Sequence, residues 1–345
     1  MSAPAKRWTW TETLIATAAL LMAAGVAMVY SASSVVALSK FGDAEYYLWR
    51  QIVFAGIAMG TLFAVGRVPV ERFRRLAYPA MIVVGLLLLA VLIDGVGIRV
   101  GGAKRWLPLG PIRFQPSELA KVAAVLYLAH SLAKKEDAVR SFKIGIVSHL
   151  AILGFLAALI LIEPDLGTVV ILAAVTTVML FTGGVRPSHL LALALGAAPV
   201  AIYYIQGHAY QIRRLLSWLR PWEEADGAGW QLTQSYLAFA SGGLGGAGIG
   251  GSKQKLFFLP EGHTDFIFAI LAEEWGALGA VAVLAAFAII FVGGVRVALR
   301  SPDRFTALLA LGVGSLLAVQ ALVNISITVG LLPTKGLVLP FVSYG

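Results

Sequence analysis

A carboxylate at the mouth of an apolar helix is the group best placed to do chemistry in this sequence. Asp265 closes the run Leu259-Pro260-Glu261-Gly262-His263-Thr264-Asp265, and Phe266-Ile267-Phe268-Ala269 follow it without a charge. Partial loss of water at such a point makes a carboxylate a better proton acceptor. The competing role is a helix cap. His263 and Thr264 directly precede it. Two further polar groupings stand between very apolar stretches. In the first, Lys104-Arg105-Trp106 reads either as interfacial anchors at headgroup depth or as a phosphate-binding pair. Gln115-Pro116-Ser117-Glu118 then opens a helix, with Pro116 in the turn where it loses no hydrogen bond. Glu118 and Lys121, three residues apart, share a helix face and can pair. In the second, Glu163-Pro164-Asp165-Leu166-Gly167-Thr168 forms a tight turn in which Asp165 is placed to cap the next helix.

A long polar segment over 207–264 carries Arg213, Arg214 and Arg220, then seven glycines between 242 and 251, then Lys253 and Lys255. Gly243-Leu244-Gly245-Gly246-Ala247-Gly248 matches the dinucleotide fingerprint in letters only, because no strand precedes it and no βαβ unit surrounds it. The glycines read as a mobile loop able to bring the two lysines to a large ligand. Glu273 and Glu274, eight and nine residues past Asp265, would lie about 12 to 14 Å along a regular helix from it. They read as structural groups or, in a transporter, as a proton relay. The five histidines, His130, His149, His189, His208 and His263, are scattered, and no metal-ligand spacing is present. With no cysteine there is no disulfide, thiolate metal site or thiol nucleophile.

The elements holding these residues must be membrane helices. Apolar residues make up 59% of the 345 even with glycine left out, and charged residues only 13%, against roughly 45–50% apolar with glycine counted in soluble domains. A water-soluble globule is excluded, as are disorder and collagen. Apolar runs, free of charge but for Glu118 and Lys121 in one and Glu273 and Glu274 in another, fall at 13–30, 51–66, 78–93, 117–133, 145–162, 167–183, 190–206, 266–295 and 305–324. Each is near the length needed to span a bilayer. The net charge of +9 belongs to loops that orient such a chain rather than to nucleic-acid binding. Lys and Arg concentrate in alternate segments: Lys6 and Arg7, then 67–75, 134–143, Arg186 and 296–304. The positive-inside rule therefore places the N-terminus in the cytoplasm and Asp265 on the outer face. No internal repeat marks an inverted-repeat transporter, and no linker marks a second domain. The chain reads as a single polytopic membrane domain over 1–345, with the catalytic loop at about 207–265.

Together the segments resemble a known family. Gly102-Ala103-Lys104-Arg105-Trp106, Gln115-Pro116-Ser117-Glu118 with Lys121, Pro164-Asp165-Leu166-Gly167-Thr168, the 259–268 run, and Pro333-Thr334-Lys335-Gly336 followed by Leu339-Pro340-Phe341-Val342-Ser343-Tyr344-Gly345 are similar, in order, to the SEDS (shape, elongation, division and sporulation) proteins. The stretches 250–255 and 331–336 resemble its division branch more than its elongation branch. The resemblance implies an all-α fold: a ten-helix polytopic bundle, with a large periplasmic loop between helices 7 and 8 and the last helix truncated in this chain. It implies a glycosyltransferase that polymerises lipid II at the outer face of the bacterial inner membrane, at the septum. The implied partners are a class B penicillin-binding transpeptidase (FtsI type), other division proteins (FtsQ, FtsL, FtsB and FtsN types) and membrane lipid, with no nucleic acid. Gly262 departs from the family, which often has Ala there, and the chain stops inside the Ser-Tyr-Gly-Gly-Ser-Ser motif.

Carried onto this chain, the catalytic aspartate is Asp265. Candidate substrate-binding residues are Lys104, Arg105, Gln115, Ser117, Glu118, Lys121, Arg213, Arg214, Lys253, Lys255, His263, Thr264 and Lys335. A pyrophosphate leaving group needs its charge stabilised by such cations or by a divalent ion, Mg or Mn. Competing readings are a lipid II flippase or transporter using Glu118, Lys121, Glu273 and Glu274 as an intramembrane route, an elongation-type polymerase, and a scaffold for division proteins.

Overall fold

The computed structural model describes residues 9–100, 102–110 and 112–344. Lys6 and Arg7, counted toward the orientation, and Gly345, at the end of the last quoted motif, lie outside the described residues. Among those described there are eleven α-helices and three short strands. The nine apolar runs each coincide with a helix: α1 (Trp10–Phe41), α2 (Tyr46–Gly66), α3 (Val70–Leu92), α4 (Pro116–Lys135), α5 (Ser148–Ile162), α6 (Leu166–Thr182), α7 (Pro187–Gln206), α10 (Ile267–Arg300) and α11 (Arg304–Thr328). Seven segments are long and apolar enough to cross a membrane, α5 counting with the π-helical turn Lys143–Val147 before it; α6 is apolar but shorter. α4 carries Glu118, Lys121, Lys134 and Lys135 in its run. The chain is a multi-pass helical membrane protein.

Two features depart from the all-α expectation and the single long loop. A small antiparallel sheet, in the order β1 (Ile98–Val100), β2 (Ala103–Leu109), β3 (Ile112–Phe114), occupies the segment before α4. Gly102 (φ 83°) and Gly110 (φ 64°) take the left-handed conformations that its tight turns require. β1 pairs with β2 only as far as Trp106, and β3 pairs from Leu107 onward, so Pro108 needs no partner on the β1 side. The segment 207–264 likewise contains two helices, α8 (Ala209–Leu219) and α9 (Trp230–Gly242).

The chain forms two compact units. One comprises residues 1–67, 204–293 and 320–345; the other comprises 68–203 and 294–319. Helices α10 and α11 contribute to both. In the first unit, α1 begins at a capping box, Thr9 with Glu12, ends at Gly42 (φ 73°), and packs along α2. In the second, α3, α4 and α6 pack together around Val84, Leu88, Ala120, Leu128 and Ile171, all fully buried.

Candidate active site

In the first unit, residues 260–266 form consecutive turns that deliver Asp265 two residues before α10. Glu261 adopts φ 54°, and its carbonyl accepts from the Thr264 and Phe266 backbone N–H groups at 3.2 Å each. The Thr264 hydroxyl donates back to the Glu261 carboxylate at 2.9 Å, so it serves this turn. Asp265 remains half-buried, whereas Phe266 through Leu271 are buried. Its carboxylate lies against Gly336: a Cβ there would sit 2.7 Å from Oδ2. Any side chain at 336 would displace it. Lys335, half-buried, immediately precedes this glycine.

The chain after α11 wraps the Asp265 turn with main-chain contacts. Tyr344 N–H donates to the His263 carbonyl at 3.0 Å, and the Ser343 hydroxyl donates to the Thr264 carbonyl at 2.6 Å while accepting from Leu339 N–H. Asn324 on α11 donates to the Asp265 carbonyl at 2.9 Å and also to the Leu337 carbonyl. One helical turn earlier, Gln320 donates to the Val338 carbonyl. His263 packs between Tyr47 and Tyr344, with ring centroids 4.8 and 6.1 Å away. Burial pushes its pKa down and favours the neutral ring.

Where the sequence suggested a mobile loop, the structure has part of the 242–251 segment bonded to α10. Gly242 and Gly246 meet the carbonyls of Ala272 and Glu274 so closely that neither has room for a Cβ. Ala247 and Gly248 N–H donate to the carbonyls of Glu273 and Glu274, and Ala277 N–H donates to Gly243. α10 opens at Gly276 (φ 68°, ψ −171°) to accept these bonds. Glu273 accepts from Ser241, Ser252 and the Lys253 and Gln254 backbone, pinning the foot of the loop. Lys255 is buried and gives its ammonium to Glu274 at 3.0 Å, to Ser31 and to the Gly250 carbonyl. Glu273 and Glu274 are therefore structural groups, and Lys255 is turned inward instead of toward a ligand. Lys253 remains exposed. Arg213, also exposed, lines an open surface pocket of about 410 Å³ with Trp222, Glu223 and Asp226, and Arg214 stacks on Tyr210 at 4.4 Å.

In the second unit, β2 presents Lys104 and Arg105 to local partners. Lys104 pairs with Asp94, whose carboxyl it holds below the usual range through a hydrogen bond. Arg105 donates from Nε to the Glu163 carbonyl at 2.9 Å and from Nη2 to Pro164 at 2.7 Å, clamping the α5–α6 turn. Asp165 caps α6 through the Thr168 N–H and hydroxyl, and Gln115 donates to both Asp165 and Ser117. The cap role read from sequence thus holds, and Arg105 acts on backbone. Glu118 pairs with the buried Lys121 at 2.8 Å. Among the described residues no three His, Asp or Glu side chains gather as a metal site. The described residues therefore offer no carboxylate or histidine cage that would fit Mg or Mn.

Asn324 and Gln320 beside the Asp265 turn went unnoticed in the sequence, and Gly336 and Ser343 stood in quoted motifs without a role. Asn324 and Gln320 are uncharged and isolated in an apolar run; their spacing of four, which puts both on one helix face, was the available signal.

A family model described as "Cell cycle protein", covering FtsW, RodA and SpoVE, matches residues 11–345. A "Probable peptidoglycan glycosyltransferase FtsW" of Geobacter metallireducens is 43% identical over 321 residues, covering 93% of this chain and 86% of that one. The "Stage V sporulation protein E" of Bacillus subtilis is 40% identical over 326 residues, covering 94% and 89%. Among solved structures, one described as "Structural coordination of polymerization and crosslinking by a peptidoglycan synthase complex" superposes with TM-score 0.77 at 28% identity, covering 99% of this chain and 93% of that one. The Thermus thermophilus rod shape determining protein RodA superposes with TM-score 0.70 at 27% identity, covering 99% and 91%.

Proposed function

We infer, from the premise that this chain belongs to the FtsW/RodA/SpoVE family of cell cycle proteins, that it is a peptidoglycan glycosyltransferase polymerising lipid II during cell division. The observation that carries the reading is Asp265 itself. Its side chain is half-buried at the loop–helix junction, its backbone is fixed on both sides, and its carboxylate rests on a residue without a side chain.

Asp265 acts as general base. The 4-hydroxyl of one disaccharide attacks the anomeric carbon of a polyprenyl-pyrophosphate sugar, and its proton passes to the carboxylate. The new C–O bond forms as the bond to pyrophosphate breaks, and the electron pair leaves with undecaprenyl diphosphate. Attack opposite the leaving group inverts the anomeric centre. The leaving group needs no protonation, but its charge needs partners. Arg213, Lys253 and Lys335, in the same unit as Asp265, are the cations we assign to it. The site faces the periplasm, the N-terminus lies in the cytoplasm, and a class B penicillin-binding transpeptidase is the partner that crosslinks the product.

The test is polymerisation of lipid II by the purified chain in complex with that transpeptidase. Asp265→Asn is expected to lower the rate about 10²- to 10⁴-fold, the usual weight of a general base. Equal activity at equal expression removes Asp265 from the mechanism.

A further inference from the structure

We propose that Asn324 is the positioning residue for Asp265, holding the base in register through one bifurcated amide. The inference rests on Asp265 being the base. Asn324 is 1% exposed within the apolar helix α11; its Oδ1 is buried with no hydrogen-bond partner among the described residues, so the cost of burying this amide is offset through its NH₂ end alone. Both bonds go to main-chain carbonyls from segments far apart in sequence, that of Asp265 at the mouth of α10 and that of Leu337 in the strap after α11. Only the NH₂ end of an amide can satisfy two carbonyl oxygens, so its orientation is fixed by its surroundings.

The two bonded segments are the ones that meet at the carboxylate. Leu337 follows Gly336, and Gly336 is where Oδ2 makes its close approach. One amide therefore sets the distance between the aspartate and the surface on which it rests. Gln320, one turn away on the same face, donates to the Val338 carbonyl and holds the strap at a second point. Asn324 touches neither the carboxylate nor any substrate-facing atom in these contacts; it works through the backbone. Losing it lets the Asp265 turn and the strap separate, moving the carboxylate without removing it.

The experiment compares Asn324→Ala, Asn324→Ser and Asn324→Asp with the parent, as full chain with its transpeptidase, in initial rates of lipid II polymerisation over a range of lipid II. Asn324→Asp keeps the volume but sets carboxylate oxygens against two carbonyls. Asn324→Ser keeps one donor and folds where alanine fails. For Ala and Asp, kcat per folded molecule is expected to fall at least about tenfold with KM within about twofold, because a displaced base affects the transition state and not substrate binding. Ser should lie between. In an Asp265→Asn background, Asn324→Ala should cause no further loss.

A lowered unfolding temperature with parental kcat in Asn324→Ser or Asn324→Ala means Asn324 only supports the fold and overturns the proposal. So does a rise in KM at constant kcat. If Asp265→Asn is inactive and the Asn324 variants are fully active, only this inference fails. If Asp265→Asn is fully active, the assignment of the base fails and takes Asn324 with it.

Discussion

Glu163 is the residue outside the spans whose environment conflicts most with its charge. Its side chain is 1% exposed and neither carboxyl oxygen has a hydrogen-bond partner among the described residues. Burial, and then the Asp165 charge, push it up to about 8 against the lowering influence of Arg105. Between its ordinary 4.5 and about 8 the folded chain keeps a proton that the unfolded chain gives up. The folded state then binds more protons, and stability falls as pH rises through that window. Glu163→Gln removes the group that has to ionise. Its unfolding temperature should match the parent's at and below about pH 4.5, exceed it increasingly up to about pH 8, and hold a constant excess above that, read by thermal unfolding in detergent at several pH values. A difference that does not vary with pH refutes the account. At this scale Asp265 was legible because a charge beside a buried run stands out against its neighbours. Asn324 was not, because an amide within a span breaks no charge pattern, and its partners are carbonyls that no sequence displays.

Among the elements, the helices were readable and their interruptions were not. Nine apolar runs announced nine helices because the bilayer demands internally bonded backbone for about 20 residues at a time. The small sheet escaped because 98–114 was read for its charges, while its turns depend on glycine conformations and its pairing on neighbours across the hairpin. The glycines of 242–251 were seen but assigned to motion. Their actual use is contact: they let a loop bond to α10 where Gly276 opens it. Gly246→Ala places a methyl against the Glu274 carbonyl at a left-handed position (φ 82°). Overpacking of this kind costs typically about 1–3 kcal/mol, so a lower unfolding temperature and new proteolytic cleavage within 242–251 are expected. Parental stability and resistance to cleavage would mean that the loop is loosely held.

For the whole molecule, the distribution of basic residues over alternate segments gave a topology, but not the two compact units. Each unit draws on stretches separated by a long interval of the other, 68–203 in one case and 204–293 in the other, and no local pattern encodes such pairing. The topology is testable with little engineering, since the sequence has no cysteine to remove. Glu136→Cys and Glu224→Cys lie at exposed positions on segments assigned to opposite faces. In spheroplasts, a membrane-impermeant maleimide should label position 224 and leave 136 unlabelled until the membrane is broken. The reverse pattern inverts the orientation and puts Asp265 in the cytoplasm.

Because the bonds that hold the Asp265 turn end on carbonyls of His263, Thr264, Asp265 and Leu337, the receiving positions contribute no side-chain chemistry to the grip. Apart from Gly336, which must stay bare, and Lys335 and Ser343, whose side chains are used, volume-conserving drift in the strap is cheap: an exchange such as Leu337→Met leaves every acceptor in place. An inhibitor that copied those carbonyl contacts would face a surface that point substitutions can barely redraw, whereas one that leaned on the strap's side chains could be escaped in a single step.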